Sequence, residues 1–273
     1  MGFAATAAFA KKTAKWNRPL GAEMYTVRTI LPNDPEGTIK AIAQIGYKEV
    51  ECSTADLVKY AAIYKQNGLT PTAVHADTAV ILDGDLSKTI DDAKSNGVKF
   101  VVMPYVAPNL RGSLDGYKVM SEKMNKAGEK CSAAGLRFCY HNHAFEFGGK
   151  PGERPWDVFQ TNWDKKLVAL ELDVFWLSVA GNIPSDVIRS FAGRVPLVHL
   201  KDKGFGVQTQ YNEKVNPSDF RAVGTGTLDF PSILKACEKA GTEHYYVEQD
   251  QTPGPPLDSL KLSYNTIRAL KMA

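Results

Sequence analysis

The chain has 273 residues, of which 44% are hydrophobic and 23% are charged, and both values are typical of a globular protein with a sizeable core. Its 33 basic and 30 acidic residues leave a formal charge of +3, which argues against nucleic acid or an anionic membrane as a partner. No apolar run approaches the roughly 20 residues that a bilayer-spanning helix needs, so we expect no membrane span.

The first 15 residues are predicted to be a leader or signal-like segment. The stretch MGFAATAAFA is small and apolar, ends in an A-F-A triplet and is followed by Lys11 and Lys12. That pattern is typical of the end of a secretory signal, although a basic n-region is missing. We expect residues 1–15 to be dispensable for folding and residues 16–273 to form one domain. The protein is expected to be periplasmic or exported if this segment is a truncated signal, and cytoplasmic otherwise.

Strand and helix patterns alternate through the rest of the chain. Apolar runs predict strands at residues 21–28, 47–52, 72–75, 99–105, 137–143, 167–173, 196–201 and 243–248. Helical periods, most of them ended by Gly or Asn-Gly, predict helices at residues 38–45, 56–66, 86–95, 114–134, 155–161, 184–192, 231–240 and 256–272. A long loop is expected at residues 202–227.

Strict alternation requires parallel strands joined by crossover helices. Eight such units in about 250 residues predict an α/β fold, a single-domain (β/α)8 TIM barrel. No GxGxxG or GxxxxGK[ST] motif follows the first predicted strand, which disfavours the nucleotide-binding open sheets. Cys52, Cys131, Cys139 and Cys237 show no CxxC spacing, so we expect buried small hydrophobic residues and not disulfides or zinc ligands.

Four of the apolar runs end in polar side chains that can bind metal. These runs are FCYHNHAFEF (138–147), VALELD (168–173), VPLVHLK (195–201) and YYVEQD (245–250). In a barrel the carboxyl ends of all strands meet on one face, so side chains far apart in sequence converge there. The candidates are His141, His143, Glu146, Asp173, His199 and Glu248.

These residue types predict a divalent-metal site, because carboxylates together with imidazoles bind Mn, Co, Zn, Mg or Fe. A lone strand-end His or Asp is more often a capping or hydrogen-bonding group. Several buried carboxylates on adjacent strands, however, would stay unpaired or repel one another unless a cation lay among them. Glu171 and Asp173 are two residues apart and face the same side of their strand, so one of them can lie deeper and hydrogen-bond instead of coordinating.

The chain resembles the sugar phosphate isomerase/epimerase family, the xylose-isomerase-like TIM barrels. The resemblance rests on MYTVR (24–28), IGYKEVE (45–51), YHNHAFEF (140–147), LELD (170–173), HLKD (199–202), VGTGTLDF (223–230) and VEQD (247–250). It implies one divalent ion, with manganese favoured, held by Glu, Asp, His and Glu from four successive strands. The last three ligands correspond to Asp173, His199 and Glu248.

The first ligand of that family set has no direct counterpart. Where many epimerases have Glu, this chain has Tyr140-His141-Asn142-His143, and the nearest acid is Glu146. We expect Glu146 to be the fourth ligand, with His141 and His143 as ligands or substrate contacts.

The resemblance implies a divalent-metal-dependent sugar isomerase or epimerase that abstracts a proton alpha to a carbonyl through a metal-stabilised enediolate. Glu146 and Glu248 are the expected acid–base residues. The expected substrate contacts are His75, His141, His143, Lys201 and Trp176. Lys201 is equally consistent with an ion-paired lysine beside Asp202, and Trp176 with a packing residue.

Two alternatives stay open. One is a lyase-like or hydrolase-like β-elimination on a keto-sugar or keto-glycoside, and the other is a non-catalytic sugar-binding barrel. An abasic-site endonuclease is disfavoured by only 5 histidines and a charge of +3. Gly224-Thr225-Gly226 is predicted to be a tight turn and not a phosphate cradle, because no helix starts directly after it. The expected partner is a small carbohydrate, and the sequence leaves a homo-oligomer open.

Overall fold

The computed structural model describes residues 14–272, in which eight parallel strands close into a barrel. The strands, β1 to β8 in chain order and neighbours in that order, are Gly21–Glu23, Glu49–Ser53, Thr70–His75, Phe100–Met103, Arg137–His141, Val168–Asp173, Leu197–Leu200 and His244–Val247. Pairing of β8 with β1 closes the barrel. The predicted (β/α)8 fold is confirmed.

Helices follow the strands and cover the outside of the barrel. Within residues 14–272 the α-helices, α1 to α10, are Pro35–Ile45, Thr54–Gln66, Thr78–Asp83, Ser87–Ser95, Leu114–Ala133, Pro155–Asn162, Val174–Val179, Pro184–Ser190, Phe230–Ala240 and Pro256–Ala269. Short 3-10 helices span Met24–Val27, Pro108–Leu110, Phe145–Phe147 and Pro217–Asp219. None of the helices in this described part is both long and apolar enough to cross a bilayer.

The predicted leader lies outside the described residues except for Ala14 and Lys15. These two residues pair antiparallel with Lys271–Met272. A second short antiparallel pair, Asp202–Lys203 with Phe220–Arg221, lies within the stretch predicted to be a loop.

Several predicted strands extend beyond the observed ones, and in two of them, the first and the fifth, side-chain hydrogen bonds end the strand. The first strand stops at Glu23, whose carboxylate accepts a hydrogen bond from the Tyr25 backbone N–H at 2.5 Å and so starts a 3-10 helix. The fifth stops at His141. Beyond it, the Asn142 side chain accepts the backbone N–H of Asp173 at 3.0 Å, and the His143 N–H turns to the Glu146 carboxylate.

The core has an inner and an outer part. Inside the barrel, a plug of side chains fills the lower half, namely Ala73, Phe100, Val102, Cys139, Leu197 and Tyr246. A larger apolar layer lies between the sheet and the helices. All four cysteines are buried and free, as predicted. Because the plug closes one end, the polar side chains of the strand ends lie above it and face a single opening.

Candidate active site

The carboxyl ends of the strands carry a dense set of buried polar side chains. Alternation along each strand turns them inward above the apolar plug. The set comprises Glu23, Glu51, His75, His141, Glu171, Asp173, His199, Lys201 and Glu248. Apart from His75, whose side chain is 17% exposed, all of them are buried. These strand-end side chains therefore lie on one face of the barrel.

The lower part of this set, called here the deep layer, consists of Glu51, His75, Glu171 and His199. His199 Nε2 lies 2.5 Å from Glu51 Oε2 and 3.3 Å from Glu171 Oε2. His75 Nε2 lies 3.3 Å from each of the same two oxygens. Burial opposes protonation of both imidazoles, but the two carboxylates outweigh it and raise the pKa of His75 and of His199 well above the usual value. Glu51 Oε1 and Glu171 Oε1 are buried without a hydrogen bond to any described residue.

The upper part, called the upper group, consists of His141, Asp173, His199 and Glu248. Asp173 Oδ2 lies 3.7 Å from His141 Nε2 and 4.0 Å from His199 Nδ1. Glu248 Oε2 lies 2.8 Å from His199 Nδ1. Asp173 has a second role, because its Oδ1 accepts the backbone N–H groups of Phe175 and Trp176 and thereby caps α7. The structure thus brings together three of the four predicted ligands.

Lys201 lies between the carboxylates at the top of the site. Its Nζ is 3.0 Å from Asp173 Oδ2, 2.7 Å from Glu248 Oε2 and 2.7 Å from Asp250 Oδ1. Burial opposes its charge, but the three carboxylates raise the pKa of Lys201 well above the usual value. In return, Lys201 and His199 outweigh the effect of burial and hold the pKa of Glu248 well below its usual value. Lys201 is therefore ion-paired, but with these acids and not with Asp202.

Glu146 lies apart from both groups. Its carboxylate accepts hydrogen bonds from the Tyr140 hydroxyl at 2.7 Å and from the His143 backbone N–H at 2.9 and 3.0 Å. Burial raises the pKa of Glu146 to about 7, against the opposing effect of those hydrogen bonds. The chain turns directly after His141, which places Glu146 in the 3-10 helix that follows β5 and not at the strand end. Its metal and catalytic roles stay predictions.

A cavity of about 1020 Å³ opens above the upper group. The expected substrate contacts all line it: His75, His141, His143, Lys201 and Trp176. His143 Nδ1 and Trp176 Nε1 are buried and hydrogen-bond to no described residue. Burial, together with the neighbouring His141, lowers the pKa of His143 well below the usual value, so this imidazole is neutral. Both side chains line the cavity while these two atoms stay without a partner among the described residues.

Sequence reasoning missed three acids of the site: Glu23, Glu51 and Asp250. Glu23 ends β1, lines the cavity and lies 3.8 Å from His75. Burial and then the charge of Glu248 raise the pKa of Glu23 well above its usual value. A signal was present, since Asp250 closes the run YYVEQD and Glu23 and Glu51 lie on β1 and β2.

The Gly224-Thr225-Gly226 segment wraps around the Asp202 side chain. Asp202 Oδ2 accepts the backbone N–H groups of Gly224 and Gly226, each at 2.8 Å. A Cβ at position 226 would lie 2.3 Å from the Lys203 carbonyl oxygen, which explains why glycine stands there. The amides are therefore occupied by a carboxylate of the chain itself, in agreement with the predicted turn.

Comparisons with known proteins agree with this architecture. Residues 39–270 match the family model of the xylose isomerase-like TIM barrel. An inosose dehydratase from Clostridium beijerinckii is 25% identical over 178 residues, which cover 58% of this chain and 59% of the relative, so the match spans about three-fifths of that enzyme.

Solved structures share the fold. A sugar phosphate isomerase/epimerase from Parabacteroides distasonis superposes with a TM-score of 0.74 at 24% identity and covers 98% of both chains. The IolI protein with a bound zinc atom gives a TM-score of 0.67 at 16% identity, covering 91% of this chain and 96% of its own. At these identities the two structures establish the fold alone. The family match, which spans most of the chain, shows that this protein belongs to the xylose isomerase-like TIM barrel family.

Proposed function

We propose that the protein is a divalent-metal-dependent lyase that removes a proton next to the ketone of a polyhydroxylated substrate and eliminates the oxygen substituent on the following carbon. The observation that carries this proposal is the upper group. Two imidazoles and two carboxylates converge there beneath a cavity lined by hydrogen-bonding side chains.

The donor set of the upper group fits a divalent ion. His141 and His199 offer ring nitrogens, and Asp173 and Glu248 offer carboxylate oxygens, a mixture that suits manganese, cobalt, zinc or iron. When bound, such an ion would polarise the ketone and offset the negative charge that develops on its oxygen. Manganese remains the favoured ion.

The residues of the chain supply the proton chemistry. Glu248 is ionised, lines the cavity and is the proposed base for the proton alpha to the ketone. Lys201 is a fixed cation 2.7 Å from Glu248 and would stabilise the enolate oxygen. His143 and Trp176 would hold substrate hydroxyls and fix which carbon faces Glu248.

Elimination is favoured over epimerisation by two observations. The curated relative is named a dehydratase, and at the end of β5 this chain has His141 where many sugar epimerases have a glutamate. Glu146, the acid expected to replace it, is held by Tyr140 and His143.

The isomerase or epimerase predicted from the sequence is the second candidate. It is favoured by Glu23, a further cavity-lining carboxyl group, which would return a proton to the same carbon; burial and the charge of Glu248 raise its pKa.

The test is a reaction in D2O with protein loaded with Mn, Co or Zn and an inosose as the first substrate. Elimination predicts a product lighter by one water. An isomer of unchanged composition that carries solvent deuterium on the carbon alpha to the ketone would support the second candidate. If no keto-sugar or keto-cyclitol exchanges its alpha hydrogen in any metal form, both enzymatic proposals are wrong and the non-catalytic sugar-binding barrel stands.

A further inference from the structure

We propose that the cavity contains a second, outer sugar subsite at the mouths of β1, β2 and β3, and that the group eliminated by the enzyme is an uncharged sugar bound there. The substrate class would then be keto-glycosides. This inference rests on the proposed function and specifies its leaving group.

The first observation is the size of the cavity. Pockets of roughly 300–1,000 Å³ hold drug-sized ligands, and this one measures about 1020 Å³. A single six-membered ring bound over the upper group would leave much of that volume empty. The space therefore accommodates a second ring attached to the first.

The second observation is the chemistry of the far end. The upper group lies at the ends of β5 to β8, whereas the cavity continues to Ser53 at the end of β2, to Asp56 in α2 and to Asp77 after β3. Hydroxyl and carboxylate groups at these positions suit the hydroxyls of a sugar ring.

The aromatic side chain of Tyr25 lies at the same end of the cavity. Tyr25 lines the cavity and is 50% exposed. The Arg28 guanidinium lies 3.9 Å from the centre of that ring and donates hydrogen bonds to the carbonyl oxygens of Tyr25 and Asp250. Arg28 therefore holds Tyr25 in place, and the exposed part of the ring offers an apolar surface for a sugar.

The third observation is charge. Among the described residues that line the cavity, six are carboxylic acids, namely Glu23, Asp56, Asp77, Glu213, Glu248 and Asp250. The lysine and arginine in the same lining are Lys201, which is paired with three carboxylates, and Arg28, which is bound to backbone oxygens. The imidazole of His75, in the same lining, is paired with Glu51 and Glu171. The acids of the lining outnumber its lysine, arginine and paired histidine, so the subsite favours an uncharged ring over a phosphorylated one.

The reaction balances with a sugar as leaving group. In a 3-ketoglucoside, the base removes the proton at C2, alpha to the ketone. The electron pair of that C–H bond forms the C1–C2 double bond, and the C1–O bond breaks. The departing oxygen takes up a proton, so the leaving group is released as a free sugar. The other ring becomes an unsaturated ketone. No oxidant or reductant is needed.

The experiment compares three probes with the metal-loaded enzyme: a 3-keto-disaccharide, methyl 3-ketoglucoside, and the same disaccharide phosphorylated on the leaving ring. We expect kcat/KM to be highest for the uncharged disaccharide. Tyr25→Ala should lower the preference for disaccharide over methyl glycoside by about 3- to 10-fold, the size of one aromatic contact, and Tyr25→Phe should restore it. Tyr211 is 49% exposed and outside the cavity lining, so Tyr211→Ala is the matched control and should leave the preference unchanged.

The outcomes separate the subsite from the chemistry. Equal kcat/KM for the disaccharide and the methyl glycoside, with elimination from both, would overturn the subsite and leave the proposed function intact. A faster reaction of the phosphorylated probe would overturn the uncharged class. Absence of any elimination or alpha-hydrogen exchange from all three probes, and from the inosose, would instead remove the proposed function itself.

Discussion

Two of the histidine–glutamate contacts in the barrel are alike in chemistry and differ in setting. At the amino-terminal end of the strands, His244 Nδ1 lies 2.9 Å from Glu49 Oε2, and the two side chains are 20% and 14% exposed. At the carboxyl-terminal end, His199 contacts Glu51 at 2.5 Å and both side chains are fully buried. Glu49 and Glu51 are two residues apart on β2, and the apolar plug separates the two contacts.

The difference in exposure separates a contact that stabilises the fold, His244 with Glu49, from one that belongs to the candidate site, His199 with Glu51. A partly exposed pair is screened by water and contributes about 0–1 kcal/mol. A buried pair costs several kcal/mol of desolvation per ion, which its own attraction only partly offsets. At the carboxyl-terminal end the chain buries several such acids and leaves Oε1 of Glu51 and Oε1 of Glu171 without a hydrogen bond to any described residue. An arrangement this costly is expected where a cation is bound and not where a fold is merely stabilised.

The largest effect should come from removing a ligand of the upper group. Asp173→Ala is expected to abolish stoichiometric metal binding, because it removes the carboxylate that faces both imidazoles. Elemental analysis after reloading and gel filtration measures this, with Glu49→Ala as the control at the opposite end of the barrel. Equal metal in wild type and Asp173→Ala, or none in the wild type, would contradict the site.

The second-largest effect should come from removing the proposed base, Glu248. Glu248→Gln keeps the size and one ligand oxygen but cannot take up a proton, so turnover should fall by about 10²–10⁴-fold while metal affinity falls only modestly. Incorporation of solvent deuterium at the carbon alpha to the ketone should vanish with the variant. Glu49→Gln serves as the matched control and should exchange at the wild-type rate. If Glu248→Gln exchanges as fast as wild type, Glu248 is a ligand only and the base is another residue.

The pH dependence of stability in Glu146→Gln tests how the fold accommodates a buried acid without a metal ion. Its folded-state pKa of about 7 lies above the unfolded value near 4.5, so the folded state holds the proton more tightly. Stability from this group is complete below the unfolded pKa and falls as the pH rises towards 7. Glu146→Gln cannot ionise, so the difference in unfolding free energy between variant and wild type should rise by about 2–3 kcal/mol from pH 5 to pH 8.

Chemical denaturation of the metal-free proteins measures that difference. Metal content of Glu146→Gln should equal that of wild type. Loss of metal in this variant would support the ligand role predicted for Glu146 from the sequence. It would contradict the proposal that the upper group alone binds the metal.

A smaller effect is expected from the deep layer. Glu51 Oε2 lies 2.5 Å from His199 Nε2, which leaves Nδ1 to face the upper group. Carboxylates in this position typically change metal affinity by about 10–100-fold. Glu51→Gln should therefore weaken metal binding to that extent in a competition titration, whereas Glu49→Gln should not. Unchanged affinity in Glu51→Gln would mean that the deep layer does not orient His199.

The sequence was sufficient for those parts of the protein that local patterns encode. Alternating strand and helix periods predicted the barrel, and glycines such as Gly46 and Gly241 ended helices where expected. Asp173, His199 and Glu248 were found because each closes an apolar strand. Glu51 was missed because its partner His199 lies across the barrel, and pairing through the interior leaves no sequence spacing. The position of Glu146 in the 3-10 helix after β5 could not be predicted, because the end of β5 depends on the hydrogen bond from the Asp173 N–H to Asn142, a contact with a different strand.

Asp173 joins two features of the site through one carboxylate. One oxygen faces the imidazoles, and the other caps the helix that carries Trp176, whose side chain lines the cavity. The radius of the bound ion should therefore set the position of that helix and with it the width of the substrate space. Replacing a small ion by Ca²⁺, with ligand distances of about 2.3–2.6 Å, should shift tryptophan fluorescence in wild type and not in Trp176→Phe. An equal shift in both proteins would show that the helix does not follow the ion. If the helix does follow the ion, the choice of metal would change both the reactivity of the site and the range of substrates that fit it.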